Sequence, residues 1–167
     1  FVIVLSYLHD LVGDPAVIHR YLAHVEAAMR WIDTWGDRNR DGLQEYQTRS
    51  RHGYYNQGWK DAGDAIPDET GALAPLPLAL VELQGYVYDA KRRLARIHRL
   101  LGDEARAGEL DAQAARLYEL VNDAFWWESE GTYVLGLDGQ KRPIRSVASN
   151  AGHLLHTGIV PRERAAR

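Results

Sequence analysis

The chain has 167 residues, the size of one ordinary domain, and with 46% hydrophobic and 26% charged side chains it is not a disordered polymer. Its formal charge of −3 arises from 20 basic and 23 acidic side chains interspersed along the sequence, which offers no basic face to phosphates and excludes nucleic acid as an expected partner. Cysteine is absent, so there is neither a disulfide scaffold nor a thiol nucleophile, and the compartment is biased toward the cytoplasm.

Phe1 to Leu5 is apolar, yet too short to span a bilayer and without a basic stretch before it. It reads as the end of a buried helix rather than as a signal peptide. Together with the barely begun helix at Arg162 to Arg167, it marks the chain as an expected fragment of a longer protein. The first complete helix opens at Asp14 as N-cap with Pro15 at the first helical position, where proline's missing amide hydrogen costs nothing. It is expected to run to about Trp35, with Ile18, Leu22, Val25, Met29 and Ile32 in one apolar stripe and His19 and His24 in solvent.

Gly36 ends that helix. Asp37-Arg38-Asn39-Arg40-Asp41-Gly42 then matches the first half of a calcium loop, but Thr48 stands where the bidentate glutamate belongs, so a turn is expected and no metal. Leu43 to Tyr46 reads as a short extended piece leading toward Tyr54-Tyr55-Asn56-Gln57-Gly58-Trp59-Lys60-Asp61-Ala62-Gly63-Asp64. Neither period 2 nor period 3.6 fits this stretch, and Gly58 and Gly63 punctuate it, which predicts a loop. Its side chains suit a sugar: flat rings for pyranose faces, amides and a lysine for hydroxyls, and carboxyls able to move a proton.

Pro67 to Gly71 is turn chemistry, and the longest helix is expected from about Leu76 to Leu101, with Leu80, Leu83, Val87, Ala90, Leu94 and Ile97 on one face. Glu82, Gln84, Tyr86 and Tyr88 place polar and aromatic groups in its first turns, whereas Lys91-Arg92-Arg93 reads as a solvated face. Asp103 caps the next helix, whose stripe of Leu110, Ala114, Leu117, Val121 and Phe125 predicts an antiparallel hairpin with its predecessor. Thr132 to Leu137 followed by Asp138-Gly139 reads as a strand and tight turn. Ser149 reads as the N-cap of a helix ending near Gly158, with His153 and His156 three apart. A histidine pair with no further ligands at metal spacing is more consistent with a structural or sugar-contacting role than with zinc. The sequence has no G-x-S-x-G, P-loop, G-x-G-x-x-G or H-E-x-x-H motif, so no cofactor is called for and carboxylate chemistry remains.

Asn56-Gln57-Gly58-Trp59-Lys60-Asp61-Ala62-Gly63-Asp64 resembles the N-Q-G-W-K-D-S-G-D signature of bacterial amylo-α-1,6-glucosidase proteins of the glycogen-debranching type. Glu82-Leu83-Gln84-Gly85-Tyr86-Val87-Tyr88 resembles that group's E-x-Q-G-Y-x-Y helix, and Ser149 to Leu155 its S-N-P-G-H-L-L segment, in the same order. The likeness covers about Leu11 to Val160, with Ala62 in place of serine and Ala151 in place of proline. It implies an all-α chain with a short β-hairpin excursion, forming an arc of an (α/α)6 toroid across residues 1–167. The implied activity is an inverting hydrolysis of α-glucosidic linkages.

On that resemblance Asp61 is the general acid, with the Trp59 ring positioned to exclude water from it. Asp64 is the alternative acid or a hydroxyl acceptor, and Lys60 a tether for a carboxylate or substrate. Tyr54, Tyr55, Gln57, Trp59, Lys60, Asp64, Glu82 and Gln84 are the candidate sugar contacts. The general base is expected beyond Arg167, since Glu128, Glu130 and Glu163 do not match it. The implied partner is an oligosaccharide or glucoside, with no nucleic acid and no membrane. Two other readings stay open: a non-catalytic helical-hairpin binding module, and the same fold acting on trehalose, mannosyl or rhamnosyl compounds.

Overall fold

The computed structural model describes all 167 residues, and about half of them lie in six α-helices and one π-helical turn, accompanied by five two-residue strands. Helix α1 (Val2–Val12) ends at Gly13, whose φ of 69° closes it in the left-handed conformation that glycine adopts without a Cβ clash. Val2, Leu5 and Ser6 face inward, but Val4, Leu8, Leu11 and Val12 are exposed, Leu11 to 86%. The N-terminal run therefore lies in a helix that buries Val2 and Leu5 and leaves a second apolar face bare.

Helix α2 (Pro15–Trp31) begins as its sequence dictates, with the Asp14 carboxylate accepting the Ala16 amide at 2.8 Å and Pro15 inside the first turn. It does not continue to Trp35. Ile32–Gly36 form a π-helical turn that carries Gly36 against Gln44, where the Gly36 carbonyl accepts the Glu45 amide at 2.6 Å and a Cβ would overlap the Gln44 side chain. Asp37 to Gly42 follow as a turn. Asp37 accepts the amides of Asp41 and Gly42 at 3.0 and 2.9 Å, and Asp41 accepts that of Leu43 at 3.0 Å and pairs with Lys141 at 2.6 Å.

Strand β1 (Ala79–Leu80) precedes helix α3 (Val81–Leu100), which starts five residues later than periodicity alone indicates. Leu78 is already committed to an antiparallel bridge with Tyr46, and Ala79–Leu80 pair with strand β4 (Gly136–Leu137). Helix α4 (Glu104–Ala124) returns antiparallel after Gly102, with the Asp103 side chain accepting the Arg106 amide at 3.1 Å. Its predicted stripe is fully in the core: Leu110, Ala114, Val121 and Phe125 at 0% exposure and Leu117 at 5%. The Lys91-Arg92-Arg93 run departs from expectation. Lys91 is buried and donates to Asp33 Oδ1 and Gln113 Oε1, both at 2.6 Å, and Arg93 holds Asp89 at 2.7 Å, so only Arg92 is exposed. A buried ammonium demands such partners.

The expected strand Thr132 to Leu137 is divided. Strand β3 (Thr132–Tyr133) pairs back on β2 (Trp126–Trp127), while β4 pairs with β5 (Pro143–Ile144) across the Asp138 turn. Helix α5 (Ser149–Gly152) is a single turn whose N-cap position is Ala148 rather than Ser149, and turns continue to Gly158; α6 (Arg162–Ala165) is equally short. Helix α3 touches every part of the core. Leu94 and Ile97 pack with Val2, Leu5, Ile18, Val25 and Met29, whereas Val81, Val87 and Tyr88 pack with Leu117, Phe125, Leu154 and Ile159. A smaller cluster of Tyr46, Ile66, Leu78, Leu80, Leu135 and Ile144 lies beside its N-terminus. No helix is long and apolar enough to cross a membrane.

Two helical glycines separate propensity from packing. At Gly108, on the exposed face of α4, a Cβ would meet nothing within 4 Å, whereas at Gly85 it would stand 2.7 Å from Leu154 Cδ2. Gly108→Ala is expected to raise stability by about 0.5–1 kcal/mol, and Gly85→Ala to lower it by about 1–3 kcal/mol despite the same propensity gain, both read by thermal unfolding.

The Asp138 carboxylate is buried and accepts the amides of Gln140 and Arg142 at 2.8 and 2.9 Å and Arg142 Nε at 2.8 Å. Burial alone would raise its pKa, but these bonds and the Arg142 charge outweigh that and hold it below the ordinary aspartate value. A depressed carboxylate contributes stability above its unfolded pKa of about 3.9, and the contribution is lost as pH falls below that toward the folded value. Asp138→Asn should therefore flatten the acid limb of the stability profile below about pH 4–5, measured by denaturant midpoints across pH.

Candidate functional site

The stretch Tyr54 to Asp64 has no helix or strand of its own, and one amide side chain closes it. Asn56 is 2% exposed. Its Oδ1 accepts the Tyr46 hydroxyl at 2.6 Å and the Gly58 amide at 3.1 Å, while its Nδ2 donates to the carbonyls of Lys60 and, at 3.4 Å, Ala62. Tyr46 is itself fixed by the bridge to Leu78, so the loop hangs from the segment entering α3. Burial, opposed by a bond to the Gln57 backbone and reinforced by the charge of Glu82, raises the Tyr46 pKa and keeps the hydroxyl a donor.

Gly58 passes so close to α3 that a Cβ would overlap Leu80 Cδ1 and stand 2.8 Å from Glu82 Oε1. This approach lets the Trp59 amide donate to Glu82 Oε1 at 3.1 Å. Glu82 is fully buried, and its other oxygen has no hydrogen-bond partner, an uncompensated polar atom of the kind native structures seldom keep without use. The Trp59 ring is 58% exposed and rests on His153, with ring centres 4.4 Å apart. His153 Nδ1 is hydrogen-bonded to the Tyr86 hydroxyl at 2.6 Å, and His156 lies 6.1 Å from the Tyr86 ring. Burial and then the Glu82 charge raise the Tyr86 pKa.

The three stretches singled out in the sequence thus meet: Trp59 from the loop, Glu82 and Tyr86 from α3, and His153 from the turn after α5. The remaining candidates are distributed differently. Asp61 and Asp64 are exposed on the loop, Tyr54 is 61% exposed, and Lys60 is half-buried with its carbonyl engaged by Asn56. Tyr55 spends its hydroxyl on the Ala74 carbonyl at 2.7 Å. Gln84 is fully buried, its amide accepting Gln44 N at 2.8 Å and donating to the carbonyls of Gln44 and Leu80 at 2.8 and 3.0 Å. Gln57 is exposed and lines a concavity of about 630 Å³, which does not include Trp59, Asp61 or Glu82.

Sequence reasoning gave His153 a structural or sugar-contacting role but did not single out Asn56 or Tyr46 as members of the site. The signal for Asn56 was a lone amide two residues before a glycine in a segment without periodicity, the pattern of an Asx-type turn. Lys141 was likewise not singled out, although its ammonium joins Asp41 and Glu45. No group of three or more His, Cys, Asp or Glu is arranged to hold a metal.

No family model matches the chain. It is 31% identical over 78 residues to "Protein gamma response 1" of Arabidopsis thaliana, an overlap of 47% of this chain and 13% of that protein. Its fold is similar to that of a solved chain titled "Sialidase", with a TM-score of 0.64, 17% identity, and coverage of 89% of this chain and 12% of the other. The chain thus spans about an eighth of the length of the proteins it matches, and the second likeness is one of fold.

Because Gly58 has no room for a side chain, Gly58→Ala should push the loop off Glu82. The expected cost is about 1–3 kcal/mol, a Tm fall of roughly 2–12 °C for a chain of this size, with a shifted Trp59 emission. An unchanged Tm and spectrum would mean that the contact does not hold the loop.

Proposed function

We propose that this chain is the acid-bearing part of an inverting glycoside hydrolase of the debranching type, acting on α-glucosidic linkages, with Asp61 as general acid. The observation that carries the reading is the loop itself: the Asn56 and Gly58 contacts fix its backbone so that Trp59, on its platform of His153, stands two residues from Asp61 on the exposed side. The fold likeness to a sialidase, itself a glycosidase, supports carbohydrate chemistry in general. The α1–α2 and α3–α4 hairpins support an arc of an (α/α)6 toroid, and the bare outer face of α1 supports a neighbouring helix there.

In this mechanism Asp61 delivers its proton to the glycosidic oxygen as the bond to the anomeric carbon breaks. A glutamate on another element, expected beyond Arg167, takes a proton from the attacking water on the opposite sugar face. Inverting enzymes hold the two carboxyls about 6.5–9.5 Å apart to admit that water. Asp61 is exposed on this loop, so substrate and the adjoining helices must cover it for the acid to keep its proton until transfer. Trp59 and Tyr54 supply ring faces, and Lys60, Asp64 and Gln57 supply hydroxyl partners. Glu82 acts from beneath, holding the Trp59 amide, and Gln84 and Tyr55 support the frame. The reading takes an oligosaccharide or glucoside as substrate, requires no cofactor, nucleic acid or membrane, and places the enzyme in the cytoplasm.

In the full-length protein, Asp61→Asn keeps the shape of the side chain and removes proton donation, so kcat should fall roughly 10²–10⁴-fold with KM little changed. Activity on α-glucosyl fluoride, whose leaving group needs little protonation, should be spared. Equal loss on both substrates would make Asp61 a binding residue, and selective sparing in Asp64→Asn instead would move the acid three positions along. Full activity in both variants would leave the loop without a catalytic role and favour the binding-module reading.

A further inference from the structure

A concavity of the molecule lies apart from Asp61 and has a lining suited to a ligand of its own. Its volume of about 630 Å³ falls within the ~300–1,000 Å³ of ordinary ligand pockets, and its lining mixes aromatic faces with amide, guanidinium and carboxylate side chains, which suits an amphipathic ligand. Two tryptophans supply its flat surfaces: Trp31, at the last turn of α2, is 62% exposed, and Trp35, on the π-helical turn, is 49% exposed. Such turns recur at functional sites, and leaving two large rings in water forfeits the burial that tryptophan otherwise gains. The Arg49 guanidinium lies over the Trp35 ring, 5.9 Å from its centre, and the planar amides of Gln47 and Gln57 share the same lining. Glu45, the acid of the lining, is already engaged by Lys141 and does not oppose these donors.

Flat rings beside planar hydrogen-bonding groups fit a pyranose, whose C–H faces pack on aromatics and whose hydroxyls bond to amides and guanidinium. We propose that the cleft between Trp31, Trp35 and Gln57 is a saccharide subsite, holding a part of an oligosaccharide away from the cleaved bond. Gln57 and Asp61 are four residues apart, so their Cα atoms lie within about 14 Å and one short chain of sugars reaches both. The glycosidase reading enters only in choosing an α-glucan as the ligand.

The test is calorimetric titration of the full-length protein with maltoheptaose, all variants carrying Asp61→Asn so that the ligand is not consumed. Binding is expected, weakened about tenfold by Trp35→Ala and largely restored by Trp35→Phe, with circular dichroism unchanged because both tryptophans are exposed. Unaltered affinity in both Trp31→Ala and Trp35→Ala, or no binding of maltoheptaose, overturns the subsite. Hydrolysis of α-glucosyl fluoride by protein with Asp61 intact tests the catalytic reading separately. Hydrolysis without maltoheptaose binding removes the cleft and spares the catalytic loop, whereas binding without hydrolysis does the reverse.

Discussion

Gln84 does the work of a strand with a side chain. Its amide accepts the Gln44 N–H and donates to the Gln44 and Leu80 carbonyls, all within a fully dry environment, and so joins the middle of the chain to the first turn of α3. Without it two backbone groups of Gln44 would be buried unpaired, at about 1–3 kcal/mol each. The segment it secures carries Tyr46, whose hydroxyl anchors Asn56, whose amide closes the loop. The loop then returns to α3 through the Trp59 amide on Glu82. Two side chains two residues apart in the first turn of α3, Glu82 and Gln84, thus hold both ends of the same path.

That arrangement makes polar groups, more than apolar packing, the determinants of where Trp59 and Asp61 stand. The larger cores are built on α3 and its neighbours, and the small cluster around Leu80 is the one that Gly58 of the loop approaches. The stored asymmetry is in Glu82, with one oxygen engaged and one without a partner, and in Asn150, whose amide atoms are both buried without partners in the segment that carries His153.

What was legible in the sequence is what depends on local periodicity. The Asp14-Pro15 start, the Asp103 cap and the α4 stripe follow from rules that operate within a few residues, and each is where those rules put it. The α3 start was not legible by that means, because its delay is caused by partners at Tyr46 and Gly136, remote in sequence. Lys91 reads as solvated beside Arg92 and Arg93 until Asp33 and Gln113 are brought to it by packing. At the site the loop and the three meeting segments were visible as motifs. The division of labour was not: Gln84 bonds to backbone forty residues away, and His153 gains its role from Tyr86 and Trp59.

The placement of the five tryptophans has an optical consequence. Trp31, Trp35 and Trp59 are substantially exposed, Trp126 and Trp127 are half-buried, and none lies in the dry interior that α3 organises. Indole emission from this protein is therefore a reporter of its loops and of the hairpin at Trp126, already red-shifted in the native state. An unfolding curve followed by that light would report the periphery directly, and coincidence of that curve with the far-ultraviolet signal of the helices would test whether the chain unfolds in one step.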